Sequence, residues 1–290
     1  MKKFTLTIMG LAFIAINALS NNLWIIGDAT PYGWSTDDAT ALLSKSENES
    51  LYAGTIYLKA NQDFKFMTVP DWGNIEYGAA EGAELNNGEI SLARGTDDSG
   101  YGKIQVSESA NYYISVDTEA LVATIVKSEY QDTEITLSSL FLVGDATEGG
   151  WSVDNGTPLY QEKESPYVYS ALVNLKEGSF KIATVIKGGG SWDPKYYYFC
   201  DPSDPSKIIL NNSDDTQWSI SIEGDYLVSV NTLTNTISIV SSSESGVEVL
   251  EIFGSQPIEY YTLTGLKTDN PKNGIYIRKQ GKRTEKVIFK

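Results

Sequence analysis

The sequence predicts an all-β protein built from two tandem β-sandwich modules, residues 21–129 and 135–241, with a small β-rich unit at 246–290. Three observations carry that prediction. One stretch is written twice, as LWIIGDATPYGWS from Leu23 to Ser35 and as LFLVGDATEGGWS from Leu140 to Ser152. Its glycines and tryptophans stand 117 positions apart (144 − 27 and 151 − 34). Solenoid repeats run at roughly 20–50 residues, so this period marks whole domains. Around each copy, short alternating, β-branched or aromatic segments recur at the roughly 8–12-residue rhythm of a sandwich. No stretch has the 3.6-residue apolar period of a long amphipathic helix.

The repeated stretch explains its own composition. A short apolar strand stops at Gly27 or Gly144, Asp and Thr shape the turn, and a second glycine delivers Trp34 or Trp151. Glycine and aspartate suit such places because turns need positive φ or local side-chain-to-backbone hydrogen bonds. In the first module LYAGTIYL (51–58), DFKFM (63–67), GKIQV (102–106), NYYISVD (111–117) and LVATIV (121–126) read as strands. In the second, SPYVYSALVNL (165–175), GSFKIATVI (178–186), TQWSISI (216–222), DYLVSVN (225–231) and NTISIV (235–240) follow in the same order. The closing strands align Tyr112 with Tyr226, Ser115 with Ser229, Val116 with Val230 and Asp117 with Asn231. That offset is shorter than 117, so small insertions separate the copies, as loops tolerate.

Composition narrows the function. The net charge is −16, which disfavours nucleic acid and anionic membrane surfaces as partners. The chain has no histidine, which removes Ser-His-Asp and Cys-His catalysis and imidazole metal ligation. Its one cysteine, Cys200, rules out an intrachain disulfide framework and reads as a small buried apolar residue. No cofactor and no metal are expected. Tyrosine and tryptophan, at 18 and 6, outweigh the 9 phenylalanines, which favours rings that offer an apolar face with a polar handle.

Residues 1–20 read as a secretory signal peptide: two lysines, an apolar run, and small residues Ala18 and Ser20 before the cut. No cysteine follows the run, so the expectation is an exported protein without an N-terminal lipid anchor, at the outer membrane, cell surface or outside the cell.

Three features recur in both copies beyond what a core requires. Trp34 and Trp151 follow a glycine at a turn. Lys65 and Lys181 lie between apolar residues, so strand alternation sets each lysine on the face opposite its phenylalanine. Trp72 and Trp192 follow in loops rich in Gly, Pro and Asp. Tyrosines come next, Tyr77 in the first copy and Tyr196, Tyr197 and Tyr198 in the second; alternation leaves at least one of the three accessible. A sugar ring has one C–H face and a rim of hydroxyls. Flat aromatics match the face and Lys, Asp and Asn match the rim, an amphipathic form of the usual ligand wall. The competing chemistry is acid catalysis by Asp37–Asp38, Asp97–Asp98 or Asp214–Asp215, since glycosidases use two acids ~5–9.5 Å apart. Adjacent strand residues point to opposite faces, and all three pairs sit in polar, turn-like stretches, so each reads as a solvated turn. DPSDPS (201–206) lacks the ligand spacing of a calcium loop.

The GDAT-x-x-GW-S opening, the Phe-Lys-Phe strand and the tryptophan loop after it resemble the tandem starch-binding modules of the outer-membrane SusE/SusF family, from glycan-uptake systems of Bacteroidetes. The order also resembles the starch-binding modules of fungal glucoamylases. The resemblance implies immunoglobulin-like, starch-binding-type sandwiches and non-catalytic binding of starch or malto-oligosaccharide. By position it implies glycan-binding roles for Trp34, Lys65 and Trp72, and for Trp151, Lys181 and Trp192, with support from Tyr77 and Tyr196–Tyr198. It implies other outer-membrane glycan-uptake components as partners. The chain departs from the family pattern in lacking a lipid-bearing cysteine and an N-terminal immunoglobulin-like domain. A small glycoside hydrolase and a surface adhesion protein binding a protein partner are the alternatives.

After SSSESG (241–246), the pieces VEVLEIFG, IEYYTLTGLK, NGIYIRKQGK and EKVIFK read as four short strands. The pattern from IEYYTLTG to KVIFK resembles the C-terminal sorting domain of type IX secretion substrates, which implies a targeting or attachment unit; a capping β-unit is the alternative.

Overall fold

A computed structural model describes residues 22–44, 50–186 and 192–242 and, in the C-terminal unit, 258–262, 267–268, 271–272, 274–280 and 283–289. The signal peptide, VEVLEIFG and most of SSSESG lie outside the described residues. The first module contains β1 (Asn22–Ile26), β2 (Thr40–Leu43), β3 (Leu51–Leu58), β4 (Lys65–Met67), β5 (Glu76–Ala79), β6 (Glu89–Gly95), β7 (Ala110–Asp117) and β8 (Val122–Lys127). All pairs are antiparallel, in the order β1-β2-β3-β7-β8-β6-β5-β4, and β4 returns to β1. The layers of the sandwich are thus hydrogen-bonded into one closed ring.

The second module contains β9 (Ser139–Val143), β10 (Thr157–Glu162), β11 (Ser165–Leu175), β12 (Gly178–Ala183), β13 (Tyr197–Asp201), β14 (Asp204–Leu210), β15 (Trp218–Ile220), β16 (Gly224–Asn231) and β17 (Thr236–Ser241). Its ring, β9-β10-β11-β16-β17-β14-β13-β12, repeats the first strand for strand, with β15 added along β12. In the first module the place of β15 is held by a single bridge, Phe64 to Ile104. The duplicated motif therefore marks a duplicated topology. The described part of the tail forms a separate antiparallel sheet, with β18 (Ile258–Thr262), β19 (Lys267–Thr268), β20 (Gly274–Gln280) and β21 (Arg283–Phe289) in the order β19-β18-β20-β21.

The apolar runs NLWII and SLFLV show no polar alternation because both faces of β1 and β9 are buried. Leu23 and Ile25 point into the first core, Leu140 and Leu142 into the second. The opposite residues, Trp24, Ile26, Phe141 and Val143, meet in a third cluster that belongs to both modules. It also takes Ala41, Leu43 and Met67 from the first module and Ala183, Val185, Tyr197 and Phe199 from the second. The modules are fused along this seam.

Polar groups fix its register. The Thr55 amide donates to Gln161 Oε1 at 2.5 Å, and Gln161 Nε2 donates back to the Thr55 carbonyl at 3.0 Å. The Ser138 amide donates to Thr40 Oγ1 at 3.0 Å, and the Ser138 hydroxyl to the Ala41 carbonyl at 2.7 Å. The connection between modules is tied down as well. The Tyr57 amide donates to the Ile135 carbonyl at 2.8 Å, Asn111 bonds the backbone of Tyr130, Thr133 and Ile135, and Ile135 and Leu137 are buried. A segment anchored at so many points is a strut and not a tether.

Candidate functional site

The repeated motif builds the same loop twice. Gly27 and Gly144 have φ of +143° and +157°, and a Cβ there would lie 2.2 and 2.1 Å from the carbonyl oxygens of Asp63 and Ser179. Only glycine lets the strand end so close to the neighbouring backbone. Thr30 Oγ1 and Thr147 Oγ1 donate back to those glycine carbonyls at 2.9 and 2.8 Å. Gly33 and Gly150, at φ of +62° and +59°, then turn the chain so that Trp34 and Trp151 emerge beside the lysine of the next strand.

In the first module Lys65 is fully buried. Its ammonium donates to Glu76 Oε1 at 2.7 Å, Asp98 Oδ1 at 2.6 Å and the Tyr101 hydroxyl at 3.0 Å. An ammonium has three donors, so none remains for a ligand. Around it stand the rings of Trp34, Trp72 and Tyr101, with centroids 5.9, 4.9 and 5.5 Å from the nitrogen. Each such contact with a desolvated cation is worth up to about 2 kcal/mol. Lys65 therefore holds the indoles from beneath, where its sequence position had suggested a sugar ligand. Tyr101 fits because β5 and β6 carry glycine opposite it: a Cβ on Gly78 would lie 2.4 Å from its ring, and one on Gly95 2.8 Å.

Burial pushes Glu76 upward, but hydrogen bonds from Lys65, Tyr101 and the Asp98 amide outweigh it and hold the carboxyl below its usual range. Asp98 is held far below by Lys103, then by Lys65 and Tyr101. Tyr101 is pushed above the usual phenol range by burial and by the two carboxylates. Because both acids are depressed in the folded state, their stabilising contribution is complete above the ordinary carboxylate range near pH 4. It is lost as pH falls through the folded values. Thermal melts should give a midpoint that is flat from about pH 8 to pH 5 and declines below about pH 4, and Glu76→Gln should shallow that decline.

The second site solves the same problem with rings. Registers Phe66–Tyr77 and Ile182–Tyr198 make Tyr197 the counterpart of Glu76. Lys181 pairs with Asp215 at 2.8 Å and lies 5.6, 5.1, 4.8 and 5.3 Å from the centroids of Trp151, Trp192, Tyr197 and Phe199. Trp192 stacks on Tyr197 at 5.6 Å and 5°, and Trp151 meets Trp192 at 6.1 Å and 54°. The two indoles are thus tilted walls, a shape that suits a curved ligand.

Of the predicted residues, Trp72 (48% exposed), Trp192 (51%) and Trp151 (38%) face solvent, and Trp34 is half-buried. Lys181, like Lys65, is buried. Tyr77 does not join the indoles: it is 7% exposed and lies in the first core. The expectation that one of Tyr196–Tyr198 stays accessible fails, with all three at 8% exposure or less. Tyr197 and Tyr198 do point to opposite faces of β13, into the seam and the second core, but Tyr196 lies in the 3-10 turn before the strand and joins Tyr197 in the seam. Cys200 is buried in the second core, as its composition suggested.

Sequence reasoning missed Glu76, Tyr101, Lys103 and Phe199, and read Asp98 and Asp215 only as turn residues. One signal was present: the second acid of each Asp pair has a partner, Asp38 with Tyr196, Asp98 with Lys65 and Asp215 with Lys181. The pairs do lie in mostly exposed turns and bends, as predicted, but the second acid of each also reaches an ion-pair or hydrogen-bond partner. In DPSDPS, Asp201 and Asp204 accept from the amides and hydroxyls of Ser203 and Ser206, which closes local turns. Among the described residues no group of three acids or cysteines is placed to hold a metal ion, and no helix is long and apolar enough to cross a membrane.

Each closed β module thus mounts a pair of indoles, at least one of them exposed, over a buried ammonium. Residues 22–129 match the family model described as SusF/SusE starch specific CBMs, that is, carbohydrate-binding modules. The first module is thus similar to that family's modules. Among solved structures, SusF from Bacteroides thetaiotaomicron matches at 19% identity and a TM-score of 0.30, over 77% of this chain and 48% of that one. This chain therefore spans about half the length of SusF. No curated protein matches it significantly.

Proposed function

We propose that this chain is an exported, non-catalytic protein that binds starch or related α-glucan at two aromatic platforms. Trp34 and Trp72 form the first, and Trp151 and Trp192 the second. The observation that carries this reading is the recurrence of one arrangement, an indole pair over a buried lysine, in two modules of which the first matches starch-specific binding modules. Polar contacts to sugar hydroxyls fall to the exposed rim: Asp98 and Lys103 in the first site, Asp215 in the second. The acids do not favour hydrolysis. A glycosidase needs one carboxyl raised to act as an acid, whereas Glu76 and Asp98 are held down as ion-pair partners.

Affinity electrophoresis in starch gels tests the reading. The intact protein should be retarded, and a Trp72→Ala/Trp192→Ala variant should migrate as in a starch-free gel. Unretarded migration of the intact protein removes the α-glucan assignment; retardation unchanged in the variant removes the platform assignment. The export reading adds the N-terminal apolar run as signal and the C-terminal unit as the sorting or attachment element. Fractionation of cells producing chains with and without residues 246–290 should show surface delivery lost with the tail.

A further inference from the structure

The two platforms stand on one aromatic body. Trp34 packs against the seam cluster from the first module. On the other side Trp192 stacks on Tyr197, itself a member of that cluster. The loops that carry these indoles also touch. Asp38 accepts from the Tyr196 hydroxyl at 2.8 Å and lies 3.7 Å from the Lys195 ammonium. Burial pushes the Asp38 carboxyl up, but hydrogen bonds from Ser35 and Tyr196 and the Lys195 charge outweigh it and keep it ionised. Trp34 is four residues from Asp38 and Trp192 four from Tyr196, a chain reach of no more than about 14 Å on either side. Tyr32, two residues before Trp34, packs against the core of the other module.

We infer that the two platforms act as one rigid bivalent surface whose ligand is a single long α-glucan crossing the seam, and that they are not independent sites on a flexible string. This rests on the α-glucan reading above. With the Lys127–Ser139 connection pinned to the first module and the seam packed on both sides, the spacing between platforms is fixed. A chain too short to span it binds either platform alone. Once long enough, it engages both, and the second contact becomes intramolecular at high effective concentration, a gain of roughly a hundredfold or more. A flexible tether blunts that gain because many linker conformations miss the second site; a fixed pair gives a threshold.

The experiment is calorimetric titration of the full mature chain with linear malto-oligosaccharides of increasing length, beside the single variants Trp72→Ala and Trp192→Ala. Both indoles are solvent-exposed, so these variants keep the fold. The intact protein should take two short oligosaccharides per chain. Above one length it should take one per chain, with affinity rising by roughly a hundredfold over that step. Each single variant should bind short oligosaccharides at its remaining platform and show no step. Affinity that climbs smoothly with length, or a step that survives in either single variant, overturns the rigid pair while leaving the α-glucan reading intact. No binding of any length by the intact protein overturns both.

Discussion

Replacing Lys65 with methionine should cost the first module about 3–5 kcal/mol, the range seen when one partner of a buried ion pair is removed. Lys65 and Glu76 are both fully shielded from solvent. Methionine fills the space of the lysine stem but leaves the Glu76 carboxylate facing only Tyr101 and the Asp98 amide. The same change at Lys181 should cost far less, about 1 kcal/mol or under, because its partner Asp215 is mostly in water. Chemical denaturation of the two variants beside the intact protein measures the contrast. Adding Glu76→Leu to Lys65→Met should recover much of the loss, since an apolar pair of similar volume leaves no charge stranded. Equal losses at Lys65 and Lys181 would show that the Glu76 pair is not what distinguishes the two sites.

Trp24→Ala should be comparably severe and different in kind. Trp24 is 1% exposed and lies in the seam, pointing away from the core of its own module. Truncating a buried tryptophan typically costs about 3–5 kcal/mol. Here the void opens between modules, so each interior keeps its packing. The intact protein should melt in one transition because the seam couples the rings, whereas the variant should melt in two, with the first module leading. Differential scanning calorimetry reads this directly. One transition merely shifted downward would mean that Trp24 supports its own module instead of the junction.

Much of the fold was legible because the chain repeats itself, and a repeat exposes domain period, strand order and loop placement together. The indoles of Trp72 and Trp192 were legible for a related reason, since loops rich in Gly, Pro and Asp seldom bury a large ring. What the residues did not announce was the seam. NLWII and SLFLV are apolar without alternation, and in an antiparallel module such runs mean that both faces are covered; the cover is the other module. The same omission explains Tyr196 and Tyr197, whose outward face looks free only while the modules are taken one at a time. The lysines were misjudged because alternation fixes the side of a strand but not what lies beyond it. Glu76, Asp98 and Tyr101 come from three separate segments and converge only in space.

A protein that gathers along a polymer crowds its own copies together, and crowded sheets are prone to zip edge to edge into fibrils. The first module offers no free margin, since its last strand in ring order is bonded to its first. The second exposes only the three-residue β15, too brief to template a ladder. Closure of the strands thus leaves the two modules, unlike the open tail sheet, little margin on which a second copy could add a strand.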